Sequence, residues 1–64
     1  MSRVAKNLRR LREARGVTQA ELAERARLSR EYISRIESAM HDPTIGTLER
    51  IAKALKVKLV DLVK

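Results

Sequence analysis

The chain has 64 residues, with 15 Lys and Arg against eight Asp and Glu and a formal net charge of +7, which is room for one domain over residues 1–64 with a small core. The lack of cysteine excludes disulfides, thiolate metal sites and cysteine nucleophiles, and the single histidine argues against a metal centre. No apolar run approaches the roughly 20 residues of a membrane span, and the N-terminus lacks an apolar signal segment, so a soluble cytoplasmic protein without a membrane partner is expected.

Between Ser2 and Arg15, Val4, Leu8 and Leu11 form one stripe at helical spacing, surrounded by Arg and Lys, which predicts helix one. Gly16 stands where a left-handed stop is needed, and Val17 is placed to fold back on the helix end. Helix two is expected from Thr18 to Ala26, opened by Thr18 and Glu21 at capping-box spacing. Helix three runs from Ser29, its cap, to about Ser38. Leu22, Ala23 and Ala26 give the first of these an apolar face, and Leu28, Ile33 and Ile36 serve the second. Arg30, Glu31, Ser34, Arg35 and Ser38 form the polar face of helix three.

Pro43 lacks an N–H and pushes Asp42 out of helical geometry, so residues 39–43 are a loop. Thr44 caps helix four, whose apolar residues are Leu48, Ile51, Ala52 and Leu55. After a link at Lys56-Val57, residues 58–64 form a last helix in which Leu59 and Leu62 close the core. Val60 and Val63 are left over, either exposed or facing a second copy of the chain. The expected fold class is all-α, a compact arrangement of five helices.

Fifteen basic residues either solvate a small helical surface or meet an acidic polymer. Tyr32 is the only aromatic side chain, which disfavours single-strand binders that stack bases on aromatic platforms. A duplex partner is favoured, and nothing in the sequence points to a small-molecule ligand or a cofactor.

Several motifs in order resemble the helix-turn-helix domain of the lambda-repressor and Cro type. The family pattern LRxxRGxTQxELA is matched from Leu11 to Ala23, the recognition helix from Ser29 to Glu37, and the tail by Pro43-Thr44, Leu48, Ile51-Ala52, Ala54-Leu55 and Val57. Two departures stand out: Arg27 at the corner between helices two and three, and Ala39 after helix three, occupy positions where the family normally has Gly. If the left-handed backbone is kept there, each non-glycine residue costs on the order of 1 kcal/mol.

The resemblance implies that helix three enters the major groove of duplex DNA while helix two crosses the backbone. Arg30 and Arg35 are the candidate guanine readers, since a guanidinium can bond O6 and N7 together. Glu31 either accepts from cytosine N4 or holds Arg35 through an i, i+4 pair, and Ser34 fits close approach to the groove floor or a phosphate. Phosphate contacts are expected from Gln19, which the family uses for backbone contact, with Ser29, Tyr32 and Thr44. Arg9, Arg10, Arg27 and His41 either join them or are simply solvated. The resemblance further implies an ion pair of Arg12 with Glu37 that ties helix one to the reading helix.

One recognition helix touches few base pairs, so a homodimer on a pseudo-palindrome is expected, with Leu59, Val60 and Val63 at its interface. The function so implied is a sequence-specific DNA-binding regulator, most simply a repressor. An antitoxin, a restriction-modification controller, and a protein-interaction module that keeps the fold without reading DNA are the rivals. No pair of carboxylates is placed for acid–base work, so an enzyme is not expected.

Overall fold

The computed structural model describes residues 3–64, so the expected helical start at Ser2 lies outside the described residues. Five helices occur among them: α1 (Arg3–Ala14), α2 (Gln19–Ala26), α3 (Arg30–Glu37), α4 (Ile45–Leu55) and α5 (Leu59–Val63), with no strand. α2 and α3 are each eight residues long, too short to persist alone in water, so packing holds them. α2 lies against α3 and α4, while α1 lies against α3 and α5. Every helix sends at least one side chain into the common core: Leu8, Leu22, Ile33, Ile36, Ile51 and Leu62 are all less than 2% exposed. No helix of the described residues is long and apolar enough to cross a membrane.

The apolar stripe of α1 is shifted from the expected one. Ala5 and Leu8 are the buried pair, whereas Val4 and Leu11 are only partly covered. The helix is shared between α3 and α5, so the middle of the stripe goes deepest and its two edges stay half open. In α5, Leu62 is fully buried and Leu59 is partly buried against the core.

Four of the five helices stop in the same way. At the end of α1, Gly16 takes φ +67°, its N–H donates to the Glu13 carbonyl at 3.0 Å, and the Val17 N–H reaches back to the Arg12 carbonyl at 3.1 Å. These are the two reverse bonds of a Schellman motif, which satisfy carbonyls that the helix leaves orphaned. The pattern recurs with Arg27 (φ +59°), Ala39 (φ +59°) and Lys56 (φ +58°) as the left-handed residue. There the following N–H groups of Leu28, Met40 and Val57 donate to Ala23, Arg35 and Ala52 at 2.8, 2.9 and 2.9 Å. The family's glycine geometry is thus retained at Arg27 and Ala39 without glycine. Lys56, expected only as part of a link, is a third such residue.

Each left-handed non-glycine residue stores about 1–2 kcal/mol of strain, partly offset because glycine has more freedom to lose on folding. Ala39→Gly and Lys56→Gly should therefore each raise stability by about 0.5–1 kcal/mol in urea unfolding. Gly16→Ala should lower it by about 1 kcal/mol through backbone strain alone, because a Cβ at Gly16 would meet nothing within 4 Å. Glycine variants that unfold no later than the parent would show that these corners carry no strain.

Candidate nucleic-acid interface

α3 starts where the Ser29 Oγ accepts from the Tyr32 N–H at 3.0 Å, and it buries Ile33 and Ile36. Helical spacing then turns Arg30, Glu31 and Arg35 outward, where all three are exposed, with Ser34 half-buried beside them. Glu31 and Arg35 do not pair. The ion pairs among the described residues are Arg9–Glu13 and Arg12–Glu37. The reading that Glu31 holds Arg35 is therefore not met, and both side chains remain available on the outer face.

α2 opens with the expected capping box: the Glu21 N–H donates to Thr18 Oγ1 at 3.0 Å, and the Thr18 N–H donates to Glu21 Oε1 at 2.9 Å. The backbone bond from Thr18, followed by the bond to its side chain, holds the Glu21 carboxyl below the usual value of 4.5. The box leaves the N–H groups of Gln19 and Ala20 free of intrahelical partners at the positive end of the helix, where an anion is favoured.

Beneath these two helices lies a dense polar cluster. Arg12 meets Glu37 in a two-pronged contact, Nε to Oε2 at 2.6 Å and Nη2 to Oε1 at 3.1 Å, while its Nη1 donates to the Val17 carbonyl at 2.8 Å. Gln19 Nε2 adds a bond to Glu37 Oε1 at 3.0 Å. The Arg12 and Glu37 side chains are 12% and 4% exposed. The hydrogen bond with Glu37 raises the Arg12 pKa further above its ordinary value, against the opposing effect of burial. One carboxylate thus joins the end of α1, the start of α2 and the end of α3. The amide of Gln19, expected at a phosphate, is instead bonded to this carboxylate.

The remaining site residues are placed as follows. His41 is not a free loop residue: its Nε2 lies 2.9 Å from the Tyr32 hydroxyl, and the two rings are 4.8 Å apart at 59°. Thr44 caps α4 through Oγ1, accepting from the Thr47 N–H at 3.2 Å. Arg9 lies 3.6 Å from Glu13, and Arg10 donates to Asn7 Oδ1 at 3.4 Å, so both work within α1. Arg27 is exposed at the corner. Val60 and Val63 are 48% and 41% exposed on α5, joined among the exposed apolar side chains by Met40 and Ile45, which the sequence pattern did not single out.

Three residues that the sequence reading missed hold helix ends from a distance. Arg50 on α4 donates to the Ala26 carbonyl at 3.1 and 2.8 Å and to the Arg27 carbonyl at 2.6 Å, clamping the corner before α3. Arg15 donates to the Lys56 carbonyl at 3.3 Å, and Asn7 to the carbonyls of Leu62 and Lys64 at 3.0 Å each. Their partners are 23 to 57 residues away, so no local pattern announces them.

A short helix held across a neighbour, with its outer face basic and its inner face buried, defines a helix-turn-helix module. The family model described as helix-turn-helix matches residues 8–62, and the chain belongs to that Cro/C1-type family. It is 42% identical over 60 residues to an HTH-type transcriptional regulator of Sinorhizobium fredii, covering 94% of this chain and 78% of that one. It is 38% identical to the immunity repressor protein of Bacillus phage phi105, again over 94% of this chain but only 42% of the repressor, less than half its length. Among solved structures, the restriction-modification controller protein C.AhdI from Aeromonas hydrophila superposes with a TM-score of 0.91 at 28% identity, covering 94% of this chain and 91% of that one. The wild-type controller C.Esp1396I gives 0.88 at 39% identity, covering 95% and 80%.

The inner cluster and the surface pair make a direct contrast. Glu37→Ala leaves Arg12 buried without its partner and should cost about 3 kcal/mol or more. Glu13→Ala removes an exposed pair and should stay within about 1 kcal/mol of the parent. Equal thermal midpoints for the two variants would remove the structural role assigned to Glu37.

Proposed function

We propose that the protein is a sequence-specific double-stranded-DNA-binding transcriptional regulator, a repressor in its simplest form, that acts as a homodimer in the cytoplasm. The observation that carries this reading is the outer face of α3. It bears two unpaired guanidinium groups, Arg30 and Arg35, on a helix whose other face is fully buried. Nothing in the packing requires cations there, and a net charge of +7 suits a polyanion. The relatives named as a repressor and as a transcriptional regulator support it.

In this reading Arg30, in the first turn of α3, takes O6 and N7 of a guanine, and Arg35 and Glu31 meet neighbouring base edges with Ser34 at the groove floor. The N–H groups of Gln19 and Ala20 at the start of α2, the Ser29 hydroxyl, Thr44, Arg27 and the Tyr32–His41 pair take phosphates on either side. Arg9 and Arg10 reach phosphates only by leaving their partners within α1. The cluster of Arg12, Gln19 and Glu37 fixes the angle between the phosphate-binding and base-reading helices, so little ordering is left for the moment of binding.

The exposed valines of α5 supply the dimer contact, with Leu59 at its edge. Likeness to the controller C.Esp1396I at 39% identity favours one second reading, a restriction-modification controller with the same DNA-binding surface.

Selection of preferred duplexes from a random pool tests the main reading. Arg30→Ala should relax the preference at one base position, at about 1–3 kcal/mol, while keeping the affinity for random duplex. A protein that selects no sequence sinks the reading. For assembly, Val60→Glu with Val63→Glu should convert a dimer in sedimentation to a monomer of unchanged helicity, and a parent that is monomeric both free and on DNA refutes the homodimer.

A further inference from the structure

A second concentration of positive charge lies away from the outer face of α3. The end of α2 and the side of α4 enclose a shallow hollow lined by Arg25, Ala26, Arg27, Arg50, Lys53 and Ala54. Two alanines and four cations line it, with no acidic residue among the lining. Arg50 is held rigidly by the carbonyls of Ala26 and Arg27, which are neutral, so its positive charge is oriented but not cancelled. None of the four forms an ion pair among the described residues. Glu21, one turn earlier on α2, feels the field of Arg25 without pairing with it.

Collecting like charges around one hollow opposes folding, and neither Arg25 nor Lys53 packs into the core in return. The Arg27 corner is also strained, and it is Arg50 that holds it. An anion in the hollow would relieve the repulsion. The hollow begins at Arg27, three positions before Arg30, so it adjoins the surface assigned to DNA.

We propose that this hollow is an additional phosphate-binding surface for the same duplex, taking backbone phosphates that flank the segment read by α3. The inference rests on the DNA-binding reading given above. It assigns Arg25, Arg50 and Lys53 to sequence-independent contact, and it makes Arg50 both the clamp of the corner and part of the phosphate wall. Such contacts raise affinity and salt dependence without altering which bases are preferred.

The test uses Arg25→Gln with Lys53→Gln, which keep long side chains at exposed helical positions and leave Arg50 in place. Binding of parent and variant is measured against salt on two duplexes, one trimmed to the preferred site and one extended by a helical turn on each side. On the extended duplex the salt slope of the variant should fall by about 2 per protein chain, at roughly 0.9 per lost phosphate, with its base preference unchanged. On the trimmed duplex parent and variant should bind alike. Equal slopes on the extended duplex overturn the proposal. So does an unchanged slope combined with parent-specific binding of inorganic phosphate or of an oligoglutamate peptide, which would reassign the hollow to a free anion or an acidic protein. A parent that shows no steep salt dependence on any duplex would instead defeat the DNA-binding reading itself, so the two failures are distinguishable. Matching thermal midpoints exclude loss of folding as the cause.

Discussion

The carboxylate of Glu37 is the point on which the placement of α3 depends. It receives Arg12 from the end of α1 and Gln19 from the start of α2, and the same guanidinium holds the carbonyl of Val17 between them. At 4% exposure its charge is shielded from water, so it is tolerable only with its partners in place. The arrangement thereby fixes orientation. Apolar packing of Leu22, Ile33 and Ile36 would hold α2 and α3 together at a range of angles, whereas a two-pronged contact admits one.

A second constraint acts at the helix ends. With helices this short, orphaned carbonyls are a large share of the backbone, and they lie close to the core, where unsatisfied polar groups are costly. Left-handed corners meet part of that demand through reverse bonds, and side chains from other helices meet more. Arg50 serves the end of α2, Arg15 the end of α4 and Asn7 the end of α5. The strain at Arg27, Ala39 and Lys56 is the cost of stopping sharply enough to bring the next helix back onto the core. At the first of these corners, Arg50 supplies hydrogen bonds where glycine would have supplied freedom.

The candidate site was legible where local chemistry decides it. Thr18 with Glu21, Ser29, Thr44 and Gly16 all act at the ends to which the sequence assigned them, because a cap involves residues no more than about five apart. The outward set of α3 followed from the spacing of Ile33 and Ile36. The i, i+4 pairing offered for Glu31 and Arg35 was not realised, since spacing permits such a pair on an exposed face without compelling it. His41 was read as a lone loop residue because its approach to Tyr32 depends on how the loop folds back after α3.

By itself the sequence determined five short helices, the caps at Thr18, Ser29 and Thr44, the stop at Gly16, the inward residues of α2, α3 and α4, and the membership marked by the run from Leu11 to Ala23. Resemblance supplied the pairing of Arg12 with Glu37. Only the tertiary structure decided that Gln19 joins that pair through its amide, that Lys56 turns left-handed, and that Arg50 clamps the corner and gathers three other cations around a hollow. The division has a physical reason. Helix starts and stops are governed by neighbours within about a turn, whereas which side chain reaches which distant carbonyl or carboxylate depends on the packing of the apolar faces against one another.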